Sequence, residues 1–456
     1  MWLPQLVDDD QPRYLALADA IAQAIGAGVL KPGDRLPPQR RLAWALGLNP
    51  STAMLAYREA ARRHLVSGEV GRGTYVLAGS REASLFLLRQ PEEDPARLDL
   101  STNLPVVDPD DHDLENALAG LAEAGELPAL QAYPSARALD RGRLAISDWL
   151  QQRRGVEVPA GQIQLCAGAQ QGLFATLLAL CEPGEPILVE ALTSPGIKAA
   201  ARQLRLPLHP VPMDGEGILP DELDRLARAS LARVVLLTPC LQNPTGVSMG
   251  AQRRADIAEV ARRRGLWLIE DDVYGALDDR PPLAQAVPER CVLVSSLSKT
   301  VAPGLRLGFI AGPAELLASI DREGQATHWA VASLSLRIAS QWLEEGIALR
   351  RLDWQREQMR LRWRLASRLL GEPPAHARPA PHRWLIAGTA EPDLSDICRG
   401  AGVEVAPAEV FAVGHGAPNA VRLSLTAAAG PAQLKAALER IAARRIAARV
   451  DDAQRR

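Results

Sequence analysis

Apolar residues between positions 11 and 79 recur at helical spacing, as in Leu17, Ile21 and Ile25. Turns rich in glycine and proline, such as KPG at 31–33, interrupt this pattern. It predicts three helices, at 13–30, 38–46 and about 51–64. The following segment, LVSGEVGRGTYV, predicts a glycine-rich hairpin. Three helices and such a hairpin are typical of a winged helix-turn-helix, whose third helix enters the DNA major groove.

A different pattern begins at residue 98 and extends to about 442. Short apolar runs typical of buried strands alternate with amphipathic segments such as the helical 249–264. The clearest predicted strands are 187–190, 233–238, 265–271, 290–296 and 307–312. This alternation predicts an α/β fold with a mostly parallel sheet. Residues 80–97 show neither helical nor strand periodicity and are predicted to be a linker between the two domains.

Charge separates the two domains as well. The whole chain of 456 residues has a net charge of −2, which argues against a bulk nucleic-acid binder. Residues 11–80, however, contain nine basic and four acidic residues. This local excess supports a small DNA-facing domain joined to a larger neutral one.

The composition also bears on the compartment. The five cysteines are scattered without disulfide or metal spacing, so we expect reduced thiols in a cytoplasmic protein. No signal peptide or apolar run long enough to span a membrane is recognisable in the sequence.

The segment SSLSKTVAPGLRLG, residues 295–308, has the strongest chemical signature. Lys299 follows a predicted buried strand, where its amine can lose a proton and condense with an aldehyde as an aldimine. Ser296, Ser298 and Arg306 are residue types that bind a phosphate monoester. An aldehyde and a phosphate in one ligand indicate pyridoxal 5'-phosphate (PLP).

Polar residues at other predicted strand ends fit the same cofactor, because ligands of parallel sheets bind beyond the carboxyl ends of the strands. Asp271 is suited to the pyridine nitrogen, and Asn243 and Tyr274 to the phenolic oxygen. Arg422 is suited to a substrate carboxylate. A helix N-terminus favourable for phosphate follows another strand, at Gly168, Ala169 and Gln170.

The head resembles the DNA-binding domain of the GntR regulators, through KPGDRLPPQRRLAWALGLNPST and GRGTYV. The resemblance implies that Arg35 and Arg40 contact phosphates and that Ser51 and Thr52 begin the recognition helix. It also places Arg72 and Gly73 at the tip of the wing.

The larger domain resembles the fold-type I aminotransferases, through NPTG, EDDVYG, SLSKTVAPGLRLG and VRLSL. Such enzymes have a smaller C-terminal subdomain. Together the two domains resemble the MocR subfamily of GntR regulators, which are typically head-to-tail homodimers responding to PLP or to an amino compound bound on it. The resemblance implies that Tyr133 reaches the cofactor phosphate of the partner subunit and that Asn103 lines the substrate side. Relatives usually have Tyr at the position of Ser194, where the aromatic ring stacks on the cofactor.

Three functions remain open. The first is a regulator that binds an operator in double-stranded DNA and senses PLP or an amino compound through an aldimine at Lys299. The second is an aminotransferase with an attached regulatory head, and weak or half transamination is compatible with either. The third is a DNA-binding protein whose larger domain only dimerises. The basic head and the intact set around Lys299 favour the first.

Overall fold

The computed structural model describes residues 2–4, 12–26, 29–30, 34–62, 65–69, 73–76, 98–320, 329–373, 377–388, 391–414 and 416–455. The chain divides into two compact units, Met1–Gln90 and Pro91–Arg456. The predicted linker at 80–97 and Arg72 of the predicted wing lie outside the described residues.

The first unit has the predicted three helices and hairpin. The helices are α1 (Arg13–Gly26), α2 (Gln39–Ala45) and α3 (Pro50–Arg62). The strands are β1 (Arg35–Leu36), β2 (Val66–Glu69) and β3 (Gly73–Val76). They form an antiparallel sheet in the order β1-β3-β2, and β1 is a strand that the sequence pattern does not predict.

A small apolar core holds this unit together. Leu17 and Ile21 of α1 are fully buried against Leu42 and Tyr57. The Tyr57 hydroxyl donates a 2.7 Å hydrogen bond to the backbone oxygen of Pro37, which ties α3 to the start of α2. At the start of α3, the Asn49 side chain accepts a hydrogen bond from the Ser51 amide. That bond satisfies one of the free N–H groups of the first turn.

The second unit is built on a seven-stranded sheet in the order β5-β13-β12-β11-β10-β6-β7. Its strands are β5 (Ile163–Cys166), β6 (Ile187–Glu190), β7 (Leu208–Val211), β10 (Val234–Leu237), β11 (Trp267–Asp271), β12 (Cys291–Ser296) and β13 (Gly308–Ala311). All neighbouring strands from β7 to β12 pair in parallel, and only β13 runs against its neighbours. The mostly parallel sheet is therefore confirmed.

Helices cover this sheet on both faces, as the continuous apolar strands require. They are α4 (Asp113–Glu123), α5 (Ala136–Arg154), α6 (Ala169–Leu180), α7 (Pro195–Gln203), α8 (Pro220–Ala229) and α9 (Ala251–Arg264). Alternate residues of one strand enter different cores: Val234 and Leu236 pack in one cluster, and Val235 and Leu237 in another. The period-two side-chain alternation of a strand produces this division.

A second, smaller sheet lies toward the C-terminus. It contains β14 (His382–Ile386), β16 (Ala406–Pro407) and β17 (Ala420–Ser424) in the order β14-β17-β16. The accompanying helices are α10 (Ser333–Glu344), α11 (Ile347–Leu370), α12 (Leu394–Gly400) and α13 (Pro431–Arg455). Two short pairs complete the strands: β4 (Leu98–Asp99) with β15 (Val403–Glu404), and β8 (Met213–Asp214) with β9 (Gly217–Ile218).

All five cysteines are unpaired thiols, and only Cys181 is not fully buried. Across the described ranges, every helix is too short or too polar to cross a membrane.

Candidate cofactor site and DNA-binding residues

Lys299 lies just beyond the end of β12, at the carboxyl edge of the sheet. Its amine donates a 2.6 Å hydrogen bond to the backbone oxygen of Asn103. Burial, together with the cations Arg422 and Arg306, lowers the pKa of Lys299 to about 8. The uncharged fraction of this amine near neutral pH is therefore larger than that of an ordinary lysine, and the uncharged form is the nucleophile toward an aldehyde.

Asp271 is the last residue of β11, beside β12, and its side chain is buried. Its carboxylate accepts a 3.4 Å hydrogen bond from the Val273 amide. Burial raises the pKa of Asp271 to about 7, although this hydrogen bond and the Lys299 ammonium oppose the effect. A buried carboxylate with so few partners is suited to hold a protonated ring nitrogen.

The predicted phosphate-binding residues meet where α6 begins. The Arg306 guanidinium lies 3.4 Å from the Ser298 hydroxyl and 3.5 Å from the Ala167 backbone oxygen. Ser296 accepts a 3.3 Å hydrogen bond from the Ser298 amide. The first-turn N–H groups of α6, which begins after Gly168, add donors that have no partner within the helix.

Glycine is required at two points of this cradle. Gly168 has φ +87°, and a Cβ there would lie 2.5 Å from the Arg306 guanidinium. A Cβ at Gly308 would lie 2.7 Å from the Gly168 backbone. The close approach of two backbones and an arginine thus forms a narrow site at the helix N-terminus, of the size and charge that a phosphate needs.

Arg422 extends from β17 of the smaller sheet into the same region. It donates a 2.7 Å hydrogen bond to the Asn243 side-chain oxygen and a second hydrogen bond to the Ser101 backbone oxygen. Both partners are neutral, and the Arg422 Nε has no partner in the described part of the chain. Burial lowers the pKa of Arg422 to about 10. This buried guanidinium is suited to an anionic ligand group.

Tyr274, predicted for the phenolic oxygen, contacts Asn103, predicted for the substrate side, and Asn103 also contacts a histidine that the sequence analysis missed. The Asn103 amide donates 2.9 Å hydrogen bonds to the Tyr274 hydroxyl and to His382. His382 begins β14 as a lone histidine in the run PHRWLI, and that pattern gives no signal of a site. Glu190, also missed, ends β6 and is buried, so the strand-end rule that selects Asp271 selects it too.

Three other positions lie apart from the residues around Lys299. Tyr133 is 75% exposed and stacks on Trp329, and its predicted role at a partner's phosphate remains a prediction. The Ser194 side chain accepts a hydrogen bond from the Ile197 amide and caps α7. Gln170 is also exposed, and its side chain bonds to the Gly196 backbone oxygen.

The structure describes five of the six predicted DNA-contacting residues of the head, all but Arg72. Arg35 and Arg40 are exposed on β1 and α2. Ser51 is exposed and Thr52 half-buried, and both lie in the first turn of α3. Gly73 begins β3 and pairs with Glu69.

The residues of the second unit fit PLP by their chemistry. They provide one amine of lowered pKa, one buried carboxylate, a hydroxyl beside an amide, and a glycine-lined arginine cradle at a helix N-terminus. These correspond to the aldehyde, ring nitrogen, phenolic oxygen and phosphate of the cofactor.

Comparison with known families agrees with this division. Residues 13–76 match the family of bacterial regulatory proteins called the gntR family. Residues 96–441 match aminotransferase class I and II, a PLP-dependent fold family. Among solved structures, the α-aminoadipate aminotransferase of Thermus thermophilus matches with 23% identity and a TM-score of 0.69. The match covers 78% of this chain and 94% of that one. At this identity the match shows the fold alone.

Curated relatives include one whose match extends over both domains. The uncharacterized HTH-type transcriptional regulator YdeF of Bacillus subtilis is 30% identical over 439 residues, covering 93% of each chain. The vitamin B6 salvage pathway transcriptional repressor PtsJ of Salmonella typhimurium is 30% identical, covering 71% of this chain and 70% of its own. The pyridoxine biosynthesis transcriptional regulator PdxR of Corynebacterium glutamicum is 28% identical, covering 82% of each.

Three findings lead to one assignment: a gntR-family head, an aminotransferase class I and II body and a regulator that spans both. The chain belongs to the MocR subfamily of GntR transcriptional regulators.

Proposed function

We propose that this regulator holds PLP through Lys299 and changes its occupancy of an operator when PLP, or an amino compound that reacts with it, is bound. The observation that carries the proposal is the complete set of cofactor-type groups around Lys299 in a protein that also has a DNA-binding head. A protein whose larger domain only dimerised would have no need for a buried amine, carboxylate and arginine together.

Each residue has a distinct task in this proposal. Bound PLP supplies an electrophilic aldehyde and an electron-withdrawing ring. Lys299 offers the amine, and its lowered pKa keeps part of it unprotonated. Asp271 holds the proton of the ring nitrogen, and Arg306 with the N-terminus of α6 binds the phosphate. Asn243 and Tyr274 orient the ring through its phenolic oxygen.

The effector is a PLP form or a carboxylated amino compound. Arg422 supports the second class, because its guanidinium is buried beside neutral oxygens and lacks a resident carboxylate among the described residues. The names of PdxR and PtsJ connect those two relatives with vitamin B6 pathways, which supports the first. Condensation of the Lys299 amine with the aldehyde would take it from the Asn103 backbone oxygen, and an incoming amine that displaced Lys299 would return it. This exchange is the proposed signal.

The assembly is proposed to be a head-to-tail homodimer acting in the cytoplasm. The exposed Tyr133 supports this, because its side chain is largely open to solvent although one face of its ring stacks on Trp329. In this arrangement Tyr133 of each chain contributes to the phosphate site of the other. The two heads then bind the two halves of one operator, as dimeric helix-turn-helix proteins do.

Transamination is a second candidate function, favoured by the lowered pKa of Lys299, which would let its amine carry a proton. Ser194 argues against efficient turnover, because a helix-capping serine cannot stack on the cofactor ring. The loss of one aromatic contact costs about 1 kcal/mol. We therefore propose transamination only as a slow or half reaction.

The test uses the full-length protein and PLP. Wild type titrated with PLP should gain a visible absorption band, and Lys299→Ala should lose it. Lys435→Ala is the matched control, because Lys435 is exposed on α13 and lies 3.7 Å from Glu439. Binding to a genomic fragment recovered by the wild-type protein is then measured with and without PLP. A wild type that stays colourless would refute the proposal. So would wild-type DNA binding that is changed neither by PLP nor by an amino compound added to the PLP-loaded protein.

A further inference from the structure

His382 joins the smaller sheet to the residues around Lys299. It is fully buried at the start of β14. Its Nε2 lies 2.9 Å from the Gln242 backbone oxygen, and its Nδ1 lies 2.9 Å from the Asn103 side-chain nitrogen. The Tyr274 ring meets the imidazole edge-on, with 5.7 Å between centroids. The imidazole is thus held from three sides by groups of the candidate site.

These partners determine which nitrogen carries the proton. A backbone oxygen only accepts hydrogen bonds, so Nε2 must be the protonated nitrogen. Burial and the nearby cations Arg422 and Lys299 disfavour a second proton and lower the pKa of His382 to about 3. The ring is therefore neutral, and Nδ1 presents a lone pair to Asn103.

The lone pair on His382 in turn fixes the Asn103 amide. Only the NH₂ group can face Nδ1, because the amide oxygen and Nδ1 are both hydrogen-bond acceptors and would repel each other. The second hydrogen of the same NH₂ group is donated to the Tyr274 hydroxyl at 2.9 Å. Tyr274 accepts this bond, so its own proton remains available for another acceptor. The Asn103 side-chain oxygen is buried and has no partner among the described residues.

We propose that His382 is a positioning residue, which fixes the Asn103 amide so that the Tyr274 hydroxyl donates to the phenolic oxygen of PLP. The inference rests on the proposed function, in which Lys299 holds that cofactor. Without the imidazole, the side-chain amide of Asn103 is free to flip. The Tyr274 hydroxyl would then donate its hydrogen bond to the Asn103 side-chain oxygen.

This arrangement has a spectroscopic consequence. A donor to the phenolic oxygen draws electron density from it and weakens its hold on the proton of the neighbouring nitrogen. Loss of the donor therefore raises the pH at which the visible band of the Lys299-bound cofactor disappears. The expected rise is about one pH unit, the size of one hydrogen bond to a charged oxygen.

The experiment is a spectrophotometric pH titration of the full-length protein loaded with PLP. Tyr274→Phe and His382→Phe should each raise the midpoint. The double variant should move it no further than Tyr274→Phe alone, because both changes remove the same donor. His382→Gln keeps a donor and an acceptor on one side chain and should restore most of the wild-type midpoint. His209→Phe is the matched control, since His209 lies on the edge strand β7.

Asn103→Asp provides a second variant, which does not depend on the stability of the His382 variants. Its carboxylate replaces the NH₂ group with an acceptor, so Tyr274 must donate to it and the midpoint should rise although His382 is intact. An unchanged midpoint in His382→Phe or Asn103→Asp, beside a shifted one in Tyr274→Phe, would overturn the inference, as would additive shifts in the double variant. A colourless wild type would instead refute the proposed function.

Discussion

The Lys299 amine donates a 2.6 Å hydrogen bond to the Asn103 backbone oxygen, while the Asn103 side chain contacts Tyr274 and His382. Asn103 thus contacts the proposed nucleophile, Lys299, through its backbone oxygen, and Tyr274 through its side-chain amide. Condensation of Lys299 with an aldehyde would free the backbone oxygen of Asn103, and displacement of Lys299 by an incoming amine would restore the hydrogen bond. The hydrogen bonding of Asn103, near the start of the second unit, therefore depends on whether the Lys299 amine is free.

The first prediction concerns the pH dependence of PLP capture. Only the uncharged amine condenses with an aldehyde, and the pKa of Lys299 is lowered to about 8. The rate at which the visible band forms after mixing should rise with pH, with a midpoint of about 8. Stopped-flow mixing with PLP between about pH 6 and about 10 measures it. A rate that continues to rise with a midpoint near the ordinary lysine pKa of 10.5 would contradict the burial of this amine.

The second prediction concerns Arg422 and the carboxylate of an effector. Alanine and ethylamine differ only by a carboxylate, so the wild type loaded with PLP should respond to alanine at lower concentration. Arg422→Leu should reduce this preference by about tenfold or more, because a charged hydrogen-bonded pair contributes about 1.5–3 kcal/mol. The shift of the visible band on titration measures both ligands.

Arg399→Leu is the control for this experiment, since Arg399 is exposed and pairs with Asp396. It should leave the preference for alanine unchanged. Equal loss of response to alanine and ethylamine in Arg422→Leu would show that Arg422 supports the site generally and does not bind the carboxylate.

The third prediction concerns the cradle at Gly168. Gly168→Ala adds a Cβ at φ +87° and 2.5 Å from the Arg306 guanidinium, which must then move. The variant should bind PLP about tenfold or more weakly, a cost of at least about 1.4 kcal/mol. It should bind pyridoxal, which lacks the phosphate, with nearly unchanged affinity. Gly161→Ala is the control, because no atom lies within 4 Å of its added Cβ. Equal weakening of both ligands would place the effect outside the phosphate site.

The fold could be predicted from the sequence because its strands are short, apolar and bounded by turn residues. The strand ends then placed Lys299, Asp271 and Tyr274 at one edge of the sheet. His382 could not be found in this way, since its partner Gln242 is 140 residues away and belongs to another sheet region. Its role depends on the start of β14 meeting the segment that follows β10, and no local pattern encodes that contact.

The same limit applies to Arg422 and Ser194. The sequence predicts an anion-binding Arg422, yet its resting partners, the Asn243 side chain and the Ser101 backbone, depend on three distant segments meeting. Ser194 is noticeable in the sequence only as a missing aromatic. The structure shows a local role for this serine, because its hydroxyl caps α7.

The fourth prediction concerns Glu190, whose carboxyl is buried with one oxygen unpartnered in the described structure. Burial raises its pKa from 4.5 to about 8. The folded protein therefore keeps a proton that the unfolded chain has lost across this range, so its stability falls as pH rises from about 5 to 8. Glu190→Gln cannot ionise and should remove up to about 1.4 kcal/mol of that fall per pH unit.

Denaturant unfolding of the PLP-free protein at several pH values measures this effect, with the exposed Glu182→Gln as control. The amide should be tolerated because it keeps one oxygen for the Thr238 and Gln242 hydrogen bonds. The same pH dependence in Glu190→Gln and wild type would mean that Glu190 is ionised in the folded protein.

The fifth prediction concerns the basic head. Arg40 is exposed on α2, and its charge should neutralise a DNA phosphate. Arg40→Ala should weaken binding to specific and unrelated duplexes by a similar factor and lower the slope of log K against log salt by about 1. Fluorescence anisotropy across a salt series measures both quantities. Arg399→Ala removes an equal charge from the second unit and should leave the slope unchanged, because counterion release depends on contact with the phosphates rather than on net charge. A slope unchanged by Arg40→Ala would remove α2 from the DNA interface.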